Sequence, residues 1–170
     1  MAVSLVVLKE KSGETRVAAT PETVKKLKAL GFDIVVEAGA GDASGFTDAG
    51  YQAEGAVIAS NIGDDLGKAD IVAAVKAPAL EHVKAMKKGG VLIAQLNPYQ
   101  DAAGVASYAS QGIEAMAMEL MPRITRAQSM DVLSSQSNLS GYKAVLDATQ
   151  EYNRALPMMM TAAGTVPAAR

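Results

Sequence analysis

The chain has 170 residues with 16 Lys+Arg against 18 Asp+Glu, a net charge of −2 and 49% hydrophobic residues. This is the composition of one ordinary globular domain, or of a domain with a short extension. The absence of cysteine excludes disulfides, thiolate nucleophiles and thiolate metal sites, and the single histidine, His82, excludes an HExxH or two-His centre. Two Phe, no Trp and a slightly acidic balance give neither the basic stripe nor the stacking platform of a nucleic-acid binder.

Short β-branched runs alternate with helical patterns along the first two thirds of the chain, which predicts βα units and a parallel sheet. A strand is expected over residues 3–8; Lys9, Glu10 and Lys11 follow at once, so the run is too short for a signal-peptide core. Thr20 as N-cap, Pro21 in the first turn and Glu22 beside it open a helix. Its inward face is Val24, Leu27 and Leu30, its outward face Lys25, Lys26 and Lys28, and Gly31 closes it. A strand at 34–37 follows, then a short helix opened by Thr47 and Asp48 and stopped near Gly55, then a weaker strand at 56–59.

Strands at 71–75 and 91–95 enclose a helix over 78–88, with Leu80, Val83 and Met86 inward and Gly89-Gly90 at its end. A helix over 102–111 leads to a last strand at 113–118. The strands are apolar nearly throughout rather than alternating, which suits a sheet covered on both faces. The expected fold class is therefore α/β, a mostly parallel twisted sheet of about six strands with helices on both faces, Rossmann-like, over residues 1–125.

The pattern changes after Glu119. Met121-Pro122-Arg123 reads as a loop, because a residue before proline avoids the helical region. Thr125 to Gln128 matches a capping box and predicts a helix over 126–156, roughly 28 residues and well above the ordinary mean of ~11–12. Val132, Leu139, Tyr142 and Leu146 give it an apolar stripe, and its length suggests a bridge between two bodies. Residues 157–170 are apolar and end abruptly, so they read as the start of a further segment.

No run of the chain approaches the ~18 apolar residues that span a membrane. Gly39, Gly41 and Gly45 follow a strand as GxGxxxG, one residue longer than the dinucleotide fingerprint, and a plain glycine loop is preferred to a phosphate cradle. His82 reads as solvated helix surface, and Ser134, Ser135 and Ser137 have no obvious base beside them. Arg123, Arg126, Gln128, Asp131 and Ser134 are the more suggestive set: a cation, an amide, a carboxylate and a hydroxyl around a loop and first helical turns can orient a planar amide or a ribose. Helix capping with a surface ion pair accounts for the same residues on physics alone.

The string MELMPRITRAQSMDVLSSQSNLSGYKAVLDA, residues 118–148, resembles the signature region of the α subunits of proton-translocating NAD(P) transhydrogenases. GETRVAATPETVKKLKALGFDIVVEAGAG at 13–41 and MMMTAAGTVP at 158–167 resemble the same family, whose N-terminal fold is shared with alanine dehydrogenase. The resemblance implies an NAD(H)-binding component of two α/β domains with the nicotinamide in the cleft. Arg123, Asp131 and Ser134 would hold the carboxamide, and Gln128 would reach toward NADP(H) on a separate component. Hydride would pass directly between the nicotinamides while a membrane component moves protons. It also implies a homodimer, soluble and peripheral on the cytoplasmic (or mitochondrial matrix) face, and a second domain with the pyrophosphate-gripping GxGxxG beginning after Arg170, without which NAD(H) binding is weak. Alanine dehydrogenases use an Arg, a Lys and a His for pyruvate; Arg16 and Lys76 match the first two, but Asn97 stands at the third. The remaining alternative is a non-enzymatic interaction module, with the long helix and apolar tail as its contact surface.

Overall fold

The computed structural model describes residues 2–11 and 13–169. The chain divides into two compact units, Met1–Met121 and Pro122–Arg170. The first is built on six parallel strands: β1 (Val3–Val7), β2 (Phe32–Glu37), β3 (Val57–Ala59), β4 (Ile71–Lys76), β5 (Val91–Gln95) and β6 (Glu114–Ala117). Their order across the sheet is β3-β2-β1-β4-β5-β6. From β1 the chain builds outward one way, then returns to β1's other side and builds the opposite way. That is the doubly wound arrangement, and its reversal lies between β1 and β4.

Five helices cover the sheet: α1 (Pro21–Ala29), α2 (Asp48–Ala53), α3 (Gly63–Leu66), α4 (Leu80–Ala85) and α5 (Ala102–Gln111). Alternate residues of β1 point to opposite faces, so one strand feeds two cores. Leu5 and Val7 pack with Val24 of α1 and Tyr51 of α2. Val6 and Leu8 pack with Leu66 of α3, Val83 of α4 and Tyr108 of α5. Double burial is the reason for the continuous apolar runs of β1, β4 and β5. The Thr20 side chain accepts from the Thr23 amide at the start of α1, and Gly31 takes the left-handed conformation, φ 91°, where the helix hands over to β2.

The structure departs from expectation in several places. Leu30 does not face the core: it is the C-cap of α1 and 75% exposed, because the helical stripe ends with the helix at Ala29. Leu80 is likewise exposed, at the first turn of an α4 that spans only Leu80–Ala85. The short α3 has no counterpart among the expected elements, since four residues carry too little periodicity to be seen.

In the second unit, the single helix expected over 126–156 is replaced by a 3-10 segment, Thr125–Met130, and a separate 20-residue helix, α6 (Val132–Glu151). Thr125 caps nothing by its side chain. Asp131 is the N-cap, its carboxylate accepting the Ser134 amide at 3.0 Å. A carboxylate bonded to an N-terminal amide also meets the positive end of the helix dipole, so it prevails over a neutral hydroxyl. Leu139, Tyr142 and Leu146, expected as an inward stripe, are exposed. Residues 157–170 contain an antiparallel hairpin, β7 (Met159–Thr161) with β8 (Gly164–Val166). No helix among the described residues is long and apolar enough to cross a membrane.

Candidate functional site

Two places combine polar side chains with a reason to bind something. The first is a cavity of about 660 Å³ at the carboxyl ends of β1, β4 and β5. Open α/β sheets bind ligands at this reversal point, because the loops leaving adjacent strands diverge there and open a crevice. Its walls include Glu10, Glu14, Lys76, His82, Gln95 and Asn97.

Glu14 is the electrostatic centre of that wall. Its side chain is 7% exposed, with Oε1 and Oε2 each 2.8 Å from the Nε and Nη2 of Arg16. The Arg16 amide adds a third bond at 3.0 Å, and Lys76 Nζ lies 3.1 Å from Oε2. The Arg16 fork above all, aided by the Arg16 amide and Lys76 and opposed by burial, holds the Glu14 carboxyl far below the usual range. Glu10 has another duty. Its two oxygens accept the amides of Val75 (2.6 Å) and Lys76 (3.2 Å), where the β4–β5 register shifts between Ala73 and Lys76. Irregularities of this kind re-aim side chains beside functional sites.

Asn97 is the one non-glycine residue of positive φ among the described residues, at 48°. The Glu119 carboxylate holds this turn by accepting the amides of Leu96, at 3.1 Å, and Asn97. The Asn97 side chain donates to Gln100 Oε1 at 3.0 Å. His82, expected as solvated surface, is half-buried and lines the cavity instead. The glycine loop is no phosphate cradle. Gly39 donates to Asp48 Oδ1 at 2.9 Å, Ser44 and Phe46 donate to the Gly41 carbonyl, and Asp42 and Asp48 place negative charge where a phosphate would sit. Gly41 is required because a Cβ there would lie 2.7 Å from both the Phe46 carbonyl and the Tyr51 ring.

The second place is the start of α6. Asp131 is buried, and its Oδ2 accepts the Ser134 hydroxyl at 2.6 Å while Oδ1 takes the Ser134 amide. The Ser134 hydroxyl is the main cause of an Asp131 carboxyl held below its ordinary range, joined by the amides of Ser134 and Leu133 and by attraction to Arg123. The structure thus brings Asp131 and Ser134 into direct contact and Arg123 within electrostatic reach. Gln128 contributes its carbonyl to the Asp131 amide at 3.2 Å, and its side chain is exposed. Ser135 donates to the Asp131 carbonyl. A carboxylate has roughly four acceptor directions, so Asp131 keeps capacity for a ligand N–H, and Arg123 offers donors for a carbonyl. Among the described residues no group of three or more His, Asp or Glu is placed to hold a metal ion.

Sequence reasoning names Arg16, Lys76 and Asn97 but passes over Glu14, Glu10 and Glu119. The usable signal is the Glu14-x-Arg16 spacing, which puts both side chains on one side of an extended segment.

The profile of the alanine dehydrogenase/PNT N-terminal domain matches residues 6–140. The chain belongs to that family. Within it, the chain is 52% identical over 163 residues to the first of the polypeptides that make up the NAD(P) transhydrogenase alpha subunit of Rhodospirillum rubrum, covering 93% of this chain and 42% of that protein. A crystal structure of transhydrogenase from Sinorhizobium meliloti superposes with a TM-score of 0.87 at 52% identity, over 98% of this chain and 50% of that one. An L-alanine dehydrogenase structure superposes at 0.68 and 25% identity, over 74% of this chain and 35% of that one. The chain therefore spans half or less of the relatives it matches. A nicotinamide-nucleotide oxidoreductase family is what these relatives have in common.

Proposed function

We propose that this chain is the N-terminal portion of the NAD(H)-binding component of a proton-translocating NAD(P) transhydrogenase. The observation that carries the reading is the buried Asp131, tied to Ser134 and electrostatically paired with Arg123 at the head of α6. In this reading residues 1–125 form the N-terminal α/β domain, 126–156 the interdomain segment, and 157–170 the beginning of a nucleotide-gripping second domain. The full protein pairs as a homodimer on the exposed apolar faces of α6 and the terminal hairpin. It works peripherally with a membrane component and an NADP(H)-binding component, on the cytoplasmic or matrix side.

The residues present fit a nicotinamide carboxamide. The nicotinamide ring, when bound, supplies the hydride chemistry. Arg123 donates to the carboxamide oxygen, and Asp131, ionised across the working pH range, accepts from its amide nitrogen. Ser134 has its hydroxyl proton committed to Asp131, so it locks the carboxylate's orientation and offers lone pairs to the ligand. Gln128, exposed one turn earlier, is free to reach toward the NADP(H) of the partner component. None of these groups needs to move a proton. Their contribution is to fix the ring's plane and distance.

Asn97 favours this reading over an alanine dehydrogenase. A side-chain amide does not titrate near neutral pH, so it cannot act as the general acid for reduction of a keto acid. The test is an assay of the full-length protein with its membrane and NADP(H)-binding components. Reduction of NADP+ by NADH is the expected result. Oxidation of NADH that depends on pyruvate and ammonia would replace this assignment with the dehydrogenase one.

A further inference from the structure

We propose that Glu14 is the specificity-determining residue of the cavity at the sheet's reversal point: its carboxylate already fills the cationic seat formed by Arg16 and Lys76, so the cavity takes a neutral polar ligand and turns small carboxylates away. An incoming carboxylate seeks a guanidinium fork backed by an ammonium. Both halves of that seat are occupied from within, by two 2.8 Å bonds from Arg16 and a 3.1 Å approach from Lys76.

The charge balance points the same way. Arg16 and Lys76 face Glu14 and Glu10, and Glu10 is close enough to Arg16 to raise its affinity for its proton. Elsewhere on the wall Lys9 and Lys11 are matched by Glu81 and Asp101. A carboxylate entering this neutral surface would bring an unbalanced negative charge to within bonding distance of Glu14, where it is repelled. Glu14 cannot step aside by taking a proton, because its three-sided contact keeps it ionised. The groups left to meet a ligand are neutral: the side-chain amides of Gln95 and Asn97, and His82. They suit a molecule carrying hydroxyl or amide groups. This inference concerns the first unit alone and does not depend on the nucleotide reading.

The experiment is calorimetric titration of the full-length protein with pyruvate as probe, in the absence of nucleotide. Wild type is expected to give no saturable binding at millimolar pyruvate. Glu14→Gln, checked for an unchanged circular dichroism spectrum, is expected to bind at least about tenfold more tightly, since one repelling charge has gone and two cations are released. Adding Lys76→Ala to that variant should abolish the gain, which locates the site. Saturable binding to wild type that Lys76→Ala removes would overturn the proposal, as would a folded Glu14→Gln protein that still ignores pyruvate. Should Glu14→Gln not fold, Glu14→Asp, whose shorter carboxylate withdraws from Lys76, is read in its place. A folded Glu14→Asp protein no better than wild type also overturns the idea.

Discussion

Glu14 and Asp131 perform unlike tasks by the same physics: each carboxylate is ionised because donors surround it before any ligand arrives. Asp70 is a third case, held by Lys87 and by the Ser4 amide and hydroxyl far below the ordinary carboxylate range. The sign of the resulting pH dependence is fixed. A carboxyl whose folded pKa lies below its unfolded one stabilises the fold above the unfolded value and loses that contribution as pH falls through the folded value. Stability is therefore expected to be flat from neutral pH down to about pH 4.5 and to decline below it, measured as thermal midpoint against pH. Glu14→Gln should flatten part of that decline. These residues are only partly legible in the sequence. Arg16, Lys76 and Asn97 can be named from family resemblance, but Glu14 lies in an irregular segment whose ion pairing leaves no periodic trace. His82 reads as surface because it sits on the short α4, whose cavity-facing side is defined by β4 and β5, not by its own sequence.

At the scale of elements, the strands and first helices are readable because local signals and burial agree there. Thr20, Pro21 and Gly31 mark α1 as capping rules require, and doubly buried strands announce themselves as unbroken apolar runs. The start of α6 is harder to read because two capping signals stand six residues apart. Thr125-x-x-Gln128 matches a capping box, but Asp131 makes the bonds. Asp131→Ala should therefore lower the denaturant midpoint clearly, as the loss of a helix cap does, while Thr125→Ala should stay within about 0.5 kcal/mol of wild type. Asp131→Asn keeps an effective cap and removes only the charge, so it separates the structural task from the binding one. Leu139, Tyr142 and Leu146 show the limit of periodicity: it finds an apolar stripe but does not say what covers it.

For the molecule as a whole, the class of sheet follows from alternating strands and helices, whereas strand order does not. Order is set by which crossovers pack both faces, a matter of contacts distant in sequence. The order found places β1 and β4 at the centre and the cavity at their ends. Leu92 lies fully buried in β5, next to that centre. Leu92→Ala is expected to cost about 2–5 kcal/mol through lost burial and the void left behind, seen as a large drop in unfolding midpoint. The 170-residue chain by itself carries the orienting residues but, in the proposed reading, not the pyrophosphate grip. It should bind NADH more weakly than micromolar, and calorimetry on that polypeptide gives the comparison with the full-length protein.

In the proposed transhydrogenase, Arg123 and Asp131 hold the nicotinamide in place for direct hydride transfer. Stopped-flow measurement of NADH-to-NADP+ transfer in the full-length protein with its partner components tests this most directly, using Asp131→Asn and Arg123→Ala. Loss of a charge-assisted bond predicts a hydride-transfer rate slower by about tenfold or more, with the unfolding midpoint of Asp131→Asn unchanged. Wild-type rates in both variants would contradict that role and remove these residues from the site.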